Sequence, residues 1–174
     1  MKDIVDLGLP SGTKWFKYNL GVDYKKLDKN PENSVADDWT GQPYAWGETE
    51  SKCITWNKEN PNRKMYNLEM YKFQDLTTDE VKLTKYNQKD KLIRLLPEDD
   101  AATQNSHNYN IHIPTTEQFE ELLKYTTHKP VKNYNNIIGL NGVLFKGKYK
   151  NKNEIFLPNT GRCDHIVIIN GECG

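Results

Sequence analysis

The residues best suited to chemistry in this chain are few and scattered. Three cysteines, Cys53, Cys163 and Cys173, and four histidines, His107, His112, His128 and His165, are the natural candidates for a metal ligand, a thiolate or a general base. A structural zinc site needs cysteines or histidines paired a few residues apart, and these are not so placed. No HExxH, GxGxxG or GxxxxGKS/T pattern occurs. Cys163 and Cys173 could face each other across a hairpin, or stand as free, half-buried thiols. Arg162 and His165 favour a thiolate at Cys163, but Asp164 and Glu172 oppose them, so no activated nucleophile is expected.

Glu98, Asp99 and Asp100 form a run of three carboxylates that resembles a cation site. They follow Pro97, whose fixed φ suits the first position of a helical turn. Acids there complement the amino-terminal end of the helix dipole, and that role is expected in preference to metal binding. The reading is therefore no catalytic residue, no metal and no cofactor. Binding is a separate question, because exposed Trp and Tyr stack on sugar faces while most aromatics of a loop-heavy domain form its core. Trp15, Trp46 and Trp56 are expected to be core. Trp39, set in Asp37-Asp38-Trp39-Thr40-Gly41, and Tyr44 are the expected exposed contacts.

The elements that must position these residues are short. A chain of 174 residues is one domain's worth, so residues 1–174 are read as a single domain. Turn signals at Leu9-Pro10-Ser11-Gly12, Lys29-Asn30-Pro31, Thr40-Gly41-Gln42-Pro43, Asn60-Pro61-Asn62 and Leu157-Pro158-Asn159 leave little room for long helices. One helix is predicted at about 115–126. Thr115 or Thr116 caps it, Gln118 stands in capping-box spacing from Thr115, and Phe119, Leu122 and Leu123 form its buried stripe. Strands are predicted at 3–7, 14–18, 42–46, 142–146 and 154–157, the last two joined by a Lys- and Asn-rich hairpin loop. From Val22 to Glu80 the chain reads as long polar loops pinned by aromatics.

Composition removes whole classes of function. Charged residues make up 28%, and 24 basic side chains balance 24 acidic ones, so there is no net field to gather nucleic acid or anionic membrane. Apolar runs reach four residues, as at Ile166-Val167-Ile168-Ile169, against the roughly 20 needed to span a bilayer. No membrane insertion is expected. Asp3 and Asp6 stand where a secretory leader would run apolar, so a product used where it is made, or one already processed, is expected. Heavy use of Asn, Lys and Tyr suggests an AT-rich coding genome.

Six segments, taken in order, resemble a known family. They are Val5–Trp15, Tyr44–Thr49, Leu83–Asn87, Leu95–Ala102, Ile113–Leu123 and Ile155–Gly161. The family is that of repeated surface domains of Bacteroides and Fibrobacter, also found in phages of gut Bacteroides, a branch of the C-type-lectin-like fold related to formylglycine-generating enzymes. The resemblance implies an α+β fold with two small antiparallel sheets, one or two helices and long loops stapled by tryptophans. Ile111-His112-Ile113-Pro114 stands where the family carries a Trp-Arg-Met-Pro-like run. The family's Tyr-Trp-Ser-Ser and final strands have no counterpart, so a domain lacking its last strands is expected.

On this basis the chain is expected to be a non-catalytic structural or binding module. The favoured reading is a phage virion component, a capsid decoration or fibre-attachment domain made in the host cytoplasm. It would engage other virion proteins, a further copy of itself, or a host glycan or receptor. The alternative is a bacterial cell-surface adhesin, and an oxidase of the formylglycine-generating type ranks below both. Ile166, Val167, Ile168 and Ile169, followed by the turn dipeptide Asn170-Gly171, are the expected interaction edge, because an unpaired apolar strand is a state proteins usually cover.

Overall fold

The computed structural model describes residues 3–52, 70–77, 82–106, 110–148, 152–160, 162–164 and 167–169. It is a mixed α and β structure of small antiparallel sheets and few helices. The elements are β1 (Ile4–Val5), β2 (Trp15–Phe16), α1 (Tyr24–Lys29), α2 (Asp37–Thr40), α3 (Ala101–Ser106), α4 (Thr116–Tyr125), β3 (Thr126–Val131), β4 (Gly142–Gly147), β5 (Glu154–Pro158), β6 (Arg162–Asp164) and β7 (Val167–Ile169). The chain divides into two compact units. The first comprises Met1–Gln42, Pro114–Arg162 and Ile168–Gly174, and the second Pro43–Ile113 and Cys163–Val167.

The first unit is built on the antiparallel sheet β3-β4-β5, with Phe145 opposite Ile155 and Leu144 opposite Phe156. Successive side chains of a strand point to opposite faces, and both faces are covered. Val143, Phe145, Ile155 and Leu157 pack with Leu7, Leu9, Trp15 and Leu122. Leu144 and Phe156 pack on the other side with Val22, Leu27, Trp39, Ile137 and Leu140. Two cores on one sheet explain why Val143-Leu144-Phe145 and Ile155-Phe156-Leu157 are continuous apolar runs. Each fully buried Leu contributes about 1.5–3 kcal/mol from burial alone. Gly142 is needed where β4 starts, since a Cβ there would meet the Leu157 carbonyl and the Phe156 ring.

Helix α4 starts as its sequence predicts. The Thr115 hydroxyl accepts from the Gln118 N–H, and the Gln118 side chain accepts from the Thr115 N–H. Only Leu122 of the predicted stripe is buried. Phe119 is 41% exposed, resting edge-on against Trp15 at 5.1 Å, and Leu123 is 48% exposed. A ten-residue helix pinned at one side by the Glu121 carboxylate, which takes both the N–H and the hydroxyl of Ser11, buries a narrower stripe than its apolar positions offer. The helix passes directly into β3, whose Thr126 hydroxyl donates to the Leu122 carbonyl at 2.6 Å. Pro130 is tolerated in β3 because the strand lies at the sheet edge.

The second unit has little regular structure. Residues 73–75 and 82–84 run antiparallel, joined by Asp75 N–H to Lys82 C=O and Thr84 N–H to Phe73 C=O, both at 2.8 Å. A 3-10 turn at Pro97–Asp99 leads to α3, where Asp100 accepts from the Thr103 N–H and from the Ile113 N–H. Residues 42–46, expected as a strand, are irregular and lead into a turn at Trp46-Gly47. Pro43 and Gly47 interrupt the segment: Gly47 adopts φ +79°, and a Cβ there would strike the Phe73 ring.

Strands β6 and β7 pair with each other in a separate two-stranded sheet. Val167, Ile168 and Ile169 of the expected interaction edge are thus paired along one side with Arg162–Asp164. Ile166 and the Asn170-Gly171 turn lie outside the described residues.

Candidate functional site

Asp99 organises the second unit. Leu96 is extended, as a residue before proline must be, and Pro97 opens the 3-10 turn that places Asp99 inward with 2% exposure. Three donors converge on its carboxylate. Lys72 Nζ reaches Oδ1 at 2.9 Å, and Lys85 Nζ and the Tyr86 hydroxyl reach Oδ2 at 2.5 and 2.7 Å. Burial alone would raise the Asp99 pKa, but these bonds outweigh it and lower it to about 2. Glu98 and Asp99 stand in the first turn of the 3-10 helix that Pro97 opens, as expected, and Asp99 has in addition partners that the sequence did not reveal. Asp99 is the buried anion of a two-lysine cluster and Asp100 caps α3 through its side chain. Glu98 stays outside, 3.7 Å from Lys85.

An aromatic layer lies over this charge. The rings of Phe73 and Tyr86 are 5.4 Å apart, Lys72 Nζ is 4.8 Å from the centre of Phe73, and Lys85 Nζ is 5.2 Å from that of Tyr86. Such cation–π contacts add to the ion pairs and fix the ammonium groups in place. Tyr86 has φ +59°, a left-handed conformation that costs an aromatic residue about 1–3 kcal/mol and persists only where its surroundings over-determine it. They do so here. Its N–H donates to Asp90, its hydroxyl donates to Asp99, and that same hydroxyl accepts from the Leu96 N–H.

The outermost ring is Trp46. It meets Tyr86 edge-on at 4.7 Å and is 46% exposed. Its turn is held from beneath. The Tyr71 hydroxyl donates to the Trp46 carbonyl at 2.8 Å, and the buried Glu48 carboxylate pairs with Lys52 and accepts from the Lys72 N–H. Trp46, expected in the core, is therefore an indole presented to solvent on a fixed turn.

Trp39 shows the opposite error. Expected to be exposed, it is 6% exposed, its Nε1–H donates to the Ser34 hydroxyl, and its ring meets Tyr18 and Tyr134. The physical reason is packing: on the short helix α2 Asp38 pairs with Lys26, while Trp39 is taken in between Tyr18 and the sequence-distant Tyr134. Tyr44 is half-buried, and burial raises its hydroxyl pKa. It belongs to the second unit and Trp39 to the first, so the two do not form one site within either unit.

Among the described residues no group of three or more His, Cys, Asp or Glu is arranged to hold a metal ion. His112 and His128 are exposed; Cys53, Cys173, His107 and His165 lie outside the described residues. Sequence reasoning missed the Asp99 cluster, although one signal was present. Tyr71-Lys72-Phe73 and Lys85-Tyr86 each set a cation beside an aromatic ring, and Leu96-Pro97 fixes the acid that can answer both.

The protonation states of this cluster are set by burial and by the bonds to Asp99. Lys85 is raised, by its bond to Asp99 first, and stays charged. Burial raises Tyr86 and Tyr71, which stay neutral, with Asp99 and Glu48 respectively adding to the effect. None of these groups, nor Asp99, exchanges a proton near neutral pH. Comparison with known protein families, with curated proteins and with solved structures finds no match to this chain.

Proposed function

We propose that the chain is a non-catalytic structural and binding module of the C-type-lectin-like fold, a phage virion component that engages a host surface through Trp46. The observation that carries the reading is a half-exposed indole on a turn locked by Tyr71, Glu48 and Gly47. A large apolar ring kept in water and pre-organised loses little freedom on binding, which is how a small contact gains affinity. The groups beneath it are locked as carboxylate, ammonium and neutral phenol, which suits positioning and gives no acid or base for turnover near neutral pH. Small antiparallel sheets, a helix with a capping box and aromatic-pinned turns support the fold assignment, and three of the family-like segments, Tyr44–Thr49, Leu83–Asn87 and Leu95–Ala102, meet around Asp99.

The test is binding of labelled chain to gut Bacteroidetes cells, wild type against Trp46→Ala, with melting temperature measured for both. At least a tenfold loss of binding at unchanged melting temperature is expected. Equal binding by the two, or no binding by the wild type, would reject the reading.

A further inference from the structure

We propose that the Trp46 face takes an acidic saccharide, the sugar ring lying on the indole and its carboxylate on the Lys72 ammonium. This rests on the binding reading above and names its ligand chemistry. Trp46 has Tyr86 as its ring neighbour, met edge-on, which leaves indole surface for the C–H face of a sugar. The Tyr86 ring is also the neighbour of Lys85 Nζ and of Phe73, over which Lys72 Nζ sits, so indole and ammonium groups surround a single aromatic pair.

Charge chooses among sugars. Asp99 is one carboxylate shared by two ammonium groups, and its two oxygens are already filled by three donors. Lys85 has a second carboxylate nearby in Glu98. Lys72 has no second acidic side chain in ion-pair range among the described residues, and its side chain is 53% exposed. An ammonium carries three donors and Asp99 takes one of them from Lys72. Lys72 therefore offers an exposed positive charge with two further donors, on a side chain held in place by a buried anion and a ring. A ligand carboxylate answers it with a charge-assisted hydrogen bond; a neutral sugar does not. The chain's zero net charge gives no field for a polyanion such as nucleic acid, which separates this site from a general phosphate binder.

The experiment is a glycan array carrying uronic- and sialic-acid glycans beside neutral ones, probed with the wild type, Trp46→Ala, Lys72→Gln and Lys72→Arg. Acidic glycans alone should be retained, Trp46→Ala should bind at least tenfold more weakly, and Lys72→Gln should lose most binding together with its salt dependence. Lys72→Arg keeps the charge and should retain binding, which separates charge from folding. Retention of neutral glycans, of single-stranded DNA in a parallel assay, or of no glycan would overturn the proposal, as would full binding by Lys72→Gln. If cells are bound through Trp46 while acidic glycans fail, this inference falls and the binding reading stands. If the wild type binds no cells, that reading falls instead.

Discussion

The two units of the chain solve the burial problem in opposite ways. Among the described residues of the first, twelve of the buried side chains are apolar, from Leu7 and Trp15 to Ile155 and Phe156, with Ser34 and Thr126 the buried polar ones. Among the described residues of the second, the buried apolar ones are Phe73, Tyr86 and Ala101, against Glu48, Asp99, Asp100 and Thr103. Apolar layers on a sheet give stability that is indifferent to pH and salt. A buried carboxylate shared by two lysines gives positional precision and depends on protonation, since breaking such a group leaves charge without a partner. The unit richer in fixed charge is also the one that presents an exposed tryptophan, Trp46.

The largest effect should come from the apolar unit. Leu122→Ala removes a side chain with no exposure from the core shared by Trp15, Phe145 and Ile155, and should cost about 2–5 kcal/mol in denaturant unfolding. A cost below about 1 kcal/mol would break the comparison on that side. Asp99→Asn should cost about 2–3 kcal/mol, less than for a fully buried pair because Lys72 is half in solvent. The same residue sets a pH signature. Its pKa is about 2 in the folded chain against an ordinary 3.8. A depressed folded value means stability that is complete above the unfolded pKa and lost as pH falls through the folded one. The difference between wild type and Asp99→Asn should be flat from about pH 7 to 5 and should shrink by about 2 kcal/mol by about pH 2.

Smaller effects sharpen the same contrast. Thr115→Ala removes the cap of α4 and should cost about 1 kcal/mol. Leu123→Ala, on the same helix but 48% exposed, should cost under about 1 kcal/mol by the same unfolding measurement. Leu122 and Leu123 are adjacent in sequence and chemically identical, so the gap between their costs reads out the narrow buried stripe directly.

What was legible in the sequence follows the same division. The capping box of Thr115 and Gln118 is a local signal and located α4 to within a residue or two. The runs at 142–147 and 154–158 announced a hairpin because both faces are apolar and Gly or Asn bounds them. Strand β3 escaped notice because Thr127, His128, Lys129 and Pro130 carry no apolar alternation; it is an edge strand recruited by β4 through main-chain bonds. Helices α1, α2 and α3 are four to six residues long, too short for periodicity to show. The exchange of roles between Trp39 and Trp46 has one cause. Which way a tryptophan faces depends on partners distant in sequence, Tyr134 for Trp39 and Tyr86 for Trp46, and local composition carries no record of them.

The most direct test of the central claim is the solvent contact of individual tryptophans. The chain labelled with 5-fluorotryptophan, its resonances assigned by single Trp-to-Phe variants, can be titrated with a soluble paramagnetic agent and then with host cell-surface material. The Trp46 signal should broaden strongly with the agent and shift on binding, while those of Trp15 and Trp39, each 6% exposed, should do neither. A Trp39 signal that broadens and shifts while Trp46 stays sharp would contradict the account.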